Sequence, residues 1–65
     1  MYEIDSYIVE GNSSIGLYAN DEANNFVVVR TSFGGLIEWE KEYESLRDAV
    51  AEFESHREKE AKRGD

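Results

Sequence analysis

Three glutamates, Glu38, Glu40 and Glu42, take every second position of the segment IEWEKEY, and Glu44 follows them. Residues two apart in a strand lie on one face, roughly 6.6 Å apart, comparable to the spacing of successive phosphates along a nucleic-acid strand. One chemistry for such a row is mimicry: carboxylates in place of phosphates, occupying a basic groove. A second is acid–base catalysis, which needs a cleft that drives two carboxyl pKa values apart. A chain of 65 residues is too thin for a cleft of ordinary ligand-pocket size. The plainest alternative is a solvated strand that carries charge to stay soluble and to discourage edge pairing.

The other polar candidates read as ordinary structure. Asp21, Glu22 and Asn24 lack the ordered ligand spacing and the glycine of a calcium loop, so they form a polar turn. His56 has no partner at metal-ligand spacing and belongs to a helix surface. Ser13 and Ser14 have no histidine nearby and no nucleophile elbow. The expectation is a chain with no catalytic, metal-binding or cofactor-binding residues and no cofactor. Asn12-Ser13-Ser14 is a glycosylation acceptor only in a secreted chain. Arg63-Gly64-Asp65 matches an adhesion tripeptide by coincidence at a charged terminus.

Bulk properties narrow the class. This length makes one small domain, residues 1–65, near the lower limit for independent folding. With no cysteine and one histidine, stability must come from an apolar core or from self-association. Absence of cysteine suits a reducing cytoplasm. Residues 1–10 alternate in polarity and carry Glu3 and Asp5, unlike a signal peptide. No apolar run approaches the ~20 residues of a membrane span. The expectation is a soluble, cytoplasmic chain. Net charge is −8, and residues 1–44 hold nine acidic side chains against Arg30 and Lys41, giving −7. That field repels nucleic acid and attracts basic surfaces.

The elements that must position these residues follow from periodicity. Tyr2–Val9 alternates as a first strand, and Glu10–Ser14 is a turn cluster. Ile15–Ala19 reads as a short second strand, with Gly16 a bulge or a close approach. After a polar loop over residues 20–25, Phe26–Ser32 and Leu36–Tyr43 form strands three and four. Ser45 and Asp48 resemble a capping box ahead of a helix over Leu46–Lys62. Its apolar stripe is Leu46, Ala49, Val50 and Phe53. Beyond Phe53 the face turns polar, so the last two turns are expected to project past the core, supported by pairs such as Glu58–Lys62 and capped at Gly64. The predicted fold class is α+β: an antiparallel sheet of three to four strands in residues 1–44, with one C-terminal helix in 45–63 on one face.

The turn between strands three and four sets which side chains meet. A three-residue loop, Phe33-Gly34-Gly35, with a glycine at the left-handed position places Ser32 opposite Leu36 and Arg30 opposite Glu38. Val27, Val29 and Thr31 then share a face with Ile37, Trp39 and Tyr43 under the helix. The predicted core is Val27, Val29, Ile37, Trp39, Leu46, Val50 and Phe53. Glu38, Glu40 and Glu42 fall on the uncovered face with Phe26, Val28 and Arg30. Tyr18, Ile4 and Ile8 join them if strands one and two have the matching register. Exposed apolar patches of this kind mark interfaces.

No motif assigns the chain to a family. In size, acidity and lack of a recognisable catalytic arrangement it resembles the small inhibitors that phages and mobile elements encode against host nucleases, including anti-CRISPR and DNA-mimic proteins. The likeness covers gross properties and transfers no residue. It implies a non-enzymatic protein that docks on a basic surface of a nucleic-acid-handling partner, with Glu38, Glu40, Glu42, Phe26, Val28, Tyr18 and Arg30 as the partner-binding set. The competing expectation is a homodimeric or accessory module that pairs its open apolar face and uses acidity for solubility. Neither reading involves direct nucleic-acid or membrane binding.

Overall fold

β-branched and aromatic residues concentrate in the first 43 positions and helix formers after them, and the chain folds accordingly. The computed structural model describes the backbone of residues 1–63, and all side chains within it except those of Glu10 and residues 60–63. Strands β1 (Tyr2–Ile8), β2 (Ser14–Asn20), β3 (Asn25–Thr31) and β4 (Ile37–Tyr43) form one antiparallel sheet in the order β1-β2-β3-β4. Helix α1 (Leu46–Arg63) packs across β2, β3 and β4. The α+β architecture is therefore as expected: four strands with one C-terminal helix on one face. Among the described residues no helix is long and apolar enough to cross a membrane.

Local chemistry accounts for the connections. Gly11 and Asn12 both take positive φ in the tight turn after β1, closed by Val9 N–H donating to Ser13 O at 2.8 Å. Asn24 takes a positive φ before β3, and Ala23 N–H donates to Asn20 Oδ1 at 3.4 Å. In the β3–β4 hairpin, Ser32 N–H donates to Leu36 O at 2.8 Å and Gly35, at φ 84°, donates to Ser32 O at 2.9 Å. This is the three-residue loop with a left-handed glycine that the sequence favours. At the helix start, Ser45 Oγ accepts from Asp48 N–H at 3.2 Å, the backbone half of the expected capping box. The Gly64 cap and the Glu58–Lys62 pair fall outside the described residues and side chains.

The register then departs from expectation. Thr31 pairs with Ile37, but Arg30 pairs with Trp39 and Val29 with Glu40. Glu38 is the extra residue of a bulge, and one inserted residue reverses the parity of everything beyond it. Trp39 and Tyr43 consequently join Phe26 and Val28, not Val27 and Val29, on the helix side. The reason lies one strand away. β2 pairs Leu17 with Val28 and Ala19 with Phe26, while Gly16 and Tyr18 pair with Val29 and Val27. Only Ile15, Leu17 and Ala19 give the helix a continuous aliphatic floor, and the bulge turns the β4 aromatics to that same side.

The core therefore differs in part from the predicted one. Val9, Ile15, Leu17, Val28, Ala49 and Phe53 form the buried cluster, with Tyr7, Phe26, Trp39 and Tyr43 packed around it. Val28 is 0% exposed, whereas Ile37, Leu46 and Val50 are exposed. Val27 and Val29 are buried, but by pairing they lie on the face away from the helix.

The inward line of the helix runs through Ala49, Phe53 and His56, turned from the predicted stripe toward its polar continuation. The overhang also begins later than expected. His56 packs on Trp39 with ring centroids 4.8 Å apart and planes tilted by 37°, and lies 2.9 Å from Glu52 Oε1. Arg57 sits over the Tyr7 ring at 5.5 Å and 3.9 Å from Asp5. One further turn thus packs through amphipathic side chains, which cover apolar surface while keeping their polar ends in water.

Candidate docking face

Directly paired residues share a face and successive residues alternate, so the registers build the uncovered side row by row. One row runs Glu3, Tyr18, Val27, Glu42 from β1 to β4. The next runs Ser6, Gly16, Val29, Glu40, and a third Ile8, Ser14, Thr31, Ile37. The result is a small apolar centre with carboxylates at its margins. Glu3, Glu40 and Glu42 are exposed, and among the described residues no paired position on this face is basic.

Glycine makes the centre possible. A Cβ at Gly16 would stand 2.6 Å from Tyr18 Cε2 and 2.9 Å from its hydroxyl. The Tyr18 ring therefore lies back along β2 and covers the glycine backbone, an aromatic residue covering a strand glycine two positions away. This explains how Val27 and Val29 stay 4% and 7% exposed with no element above them. Val27 sits between Tyr18 and Glu42, and Val29 between the covered Gly16 and Glu40.

Large apolar side chains gather at one end of the face. Ile8 and Ile37 end the third row, and Phe33 and Leu36 extend from the adjoining hairpin tip, all four well exposed. Neither edge strand is a regular template for another chain. β1 is bulged at Ile4 and β4 at Glu38, and bulged edges resist strand addition. The open surface of the sheet is its face, not an edge.

The structure brings together only part of the predicted site. Glu40, Glu42 and Tyr18 share the open face, with Ile8 as a neighbour at its end. Glu38 leaves the row: it occupies the bulge, and Arg30 Nε donates to its Oε2 at 2.7 Å. That ion pair was expected from direct opposition, but it forms around the bulge while Arg30 faces Trp39. Phe26 and Val28 are corrected to the helix side, where Val28 presents no surface. Glu3 lies outside the predicted set, whereas Gly16, expected as a bulge or a close approach, is a close approach with Tyr18 over it. Gly16 and Tyr18 at a two-residue spacing are a legible signal, because side chains two apart in a strand share a face. Glu3 had no such signal, since the bulge at Ile4 governs which way it points.

The Asp21–Asn24 segment forms the β2–β3 turn, and His56 packs on Trp39 beside Glu52. Among the described residues no three His, Cys, Asp or Glu side chains are grouped to hold a metal ion. No protein-family model, curated protein or solved structure matches the chain significantly.

Proposed function

We propose that this chain is a non-enzymatic acidic binding protein that docks its open sheet face on a basic surface of a nucleic-acid-handling protein and blocks it. The observation that carries the reading is the uncovered face itself, with Tyr18, Val27 and Val29 at its centre, Glu3, Glu40 and Glu42 around them, and no basic residue at a paired position. Carboxylates at the rim steer a positive surface into place, while the half-buried Tyr18 ring, seated on the buried Val27 and Val29, supplies the apolar contact that holds it. Mimicry of a phosphate row rests on Glu40 and Glu42, with Glu38 engaged by Arg30. The setting that goes with this reading is the cytoplasm, and the type is the phage or mobile-element inhibitor that the chain resembles.

Affinity capture from the native host, followed by mass spectrometry, identifies the partner. Association kinetics across a salt series then test the face. Glu40→Gln with Glu42→Gln preserves shape and should slow association and flatten its salt dependence. An unchanged association rate would leave these glutamates as a solubility device. The second reading, a homodimer, is favoured by the exposed Ile8, Ile37, Phe33 and Leu36. It is opposed by the like charge that two copies of this face would bring together. A concentration-dependent dimer insensitive to salt would support it.

A further inference from the structure

Resting on the reading of the face as a dock for basic surfaces, we propose that it recognises arginine in particular. The partner's guanidinium stacks on Tyr18, with its N–H groups directed to Glu3 on one flank and Glu40 on the other.

The argument begins with the ring. Tyr18 Cε2, Oη and Cζ lie 2.6, 2.9 and 3.0 Å from the point a Gly16 Cβ would occupy. The Cε2–Cζ–Oη edge of the ring is therefore held over the β2 backbone at Gly16, and the half-buried ring belongs to the face that α1 leaves uncovered. Glu3 is the β1 residue paired with Tyr18, and Glu40 is reached from Gly16 across Val29. Neighbouring strands are about 4.8 Å apart, so the Glu3 backbone stands one spacing from Tyr18 and that of Glu40 two spacings from Gly16, a carboxylate on a long side chain to each side of a flat group seated over the ring.

A guanidinium suits this arrangement better than an ammonium. It is planar, stacks on aromatic faces and presents donors at its edge that match carboxylates, whereas lysine is a compact, strongly hydrated point charge. The fold already contains the same combination on its helix side. There Arg57 lies 5.5 Å over the Tyr7 ring, with Asp5 Oδ2 3.9 Å from Nη1. Tyr18 repeats the aromatic and acidic parts of that arrangement without a cation from its own face. A lysine would gain from the carboxylates and little from the ring.

Oligo-arginine and oligo-lysine of equal length, titrated by calorimetry at matched salt, test this directly. The parent chain should bind oligo-arginine roughly three- to tenfold more tightly. Tyr18→Phe should keep the preference. Tyr18→Leu should abolish it, bringing oligo-arginine affinity down to that of oligo-lysine. Gly16→Ala, which needs only the ring to move, should do the same and carries the test if Tyr18→Leu fails to fold. In NMR spectra the arginine δ-methylene protons should shift upfield with the parent and not with either ring-displacing variant. Equal affinity for the two peptides, or a preference that survives Tyr18→Leu and Gly16→Ala, overturns arginine recognition while the docking reading stands. Binding of neither peptide at low salt overturns both.

Discussion

Phe53→Ala probes the helix packing most directly. Phe53 is 1% exposed, and its ring meets Tyr7 edge-on with centroids 5.2 Å apart. Truncating a phenylalanine so buried costs about 3–5 kcal/mol in lost transfer energy and residual cavity. A domain of this length has a total stability of roughly 3–10 kcal/mol at ~0.05–0.15 kcal/mol per residue. The substitution therefore removes from a third to all of it. Urea unfolding followed by Trp39 fluorescence is the assay, because Trp39 packs on His56 of the helix. With a slope of about 1 kcal/mol/M for a chain this small, the midpoint should fall by ~3 M or more, or no folded baseline should remain. Val50→Ala is the control. Val50 is 37% exposed, and losing two half-covered methyl groups costs about 1 kcal/mol. If both variants lower the midpoint equally, the helix is rotated from the orientation that buries Ala49 and Phe53, and the reasoning fails.

Val28→Asp places a carboxylate at a 0% exposed site and should leave no folded population by circular dichroism, since an unpaired buried charge is far costlier than this fold can absorb. Arg30→Gln breaks the ion pair with Glu38, whose side chain is 42% exposed, so the part of the loss due to that pair should stay below about 1 kcal/mol and shrink in high salt during thermal melts. Gly35→Ala forces a Cβ into a φ of 84° and should cost about 1–2 kcal/mol, read as a lower melting temperature with an unchanged far-UV spectrum. Deleting residues 60–65 leaves Phe53, His56 and Arg57 in place and should shift the melting temperature by only a few degrees; collapse of the fold would show that the last turn packs on something.

Short-range chemistry was legible in the sequence because its causes lie within a few residues. Phe33-Gly34-Gly35 supplies the only flexible turn between two β-rich runs, and Gly35 takes the left-handed position that such a loop requires. Ser45 and Asp48 mark the helix start, and Ala49 and Phe53 at helical spacing mark its buried line. Composition alone separates the acidic sheet from the nearly balanced helix. These features follow from local conformational preference and periodicity, which need no knowledge of distant partners.

The faces were decided elsewhere. A single bulge at Glu38 determines whether Trp39 and Tyr43 meet Val29 and Val27 or Arg30, Val28 and Phe26, and nothing local in IEWEKEY specifies it. The choice depends on β2, some twenty residues earlier, where Ile15, Leu17 and Ala19 offer the helix a floor and Gly16 and Tyr18 do not. In the same way Ile4 turns Glu3 toward Tyr18, and the ring of Tyr18 takes the space that Gly16 leaves empty. The sequence by itself determined the elements, their order and the sign of the charge. Only tertiary packing decided which carboxylates surround the open face, because sheet parity is settled by whichever pairing of all four strands buries the most apolar surface.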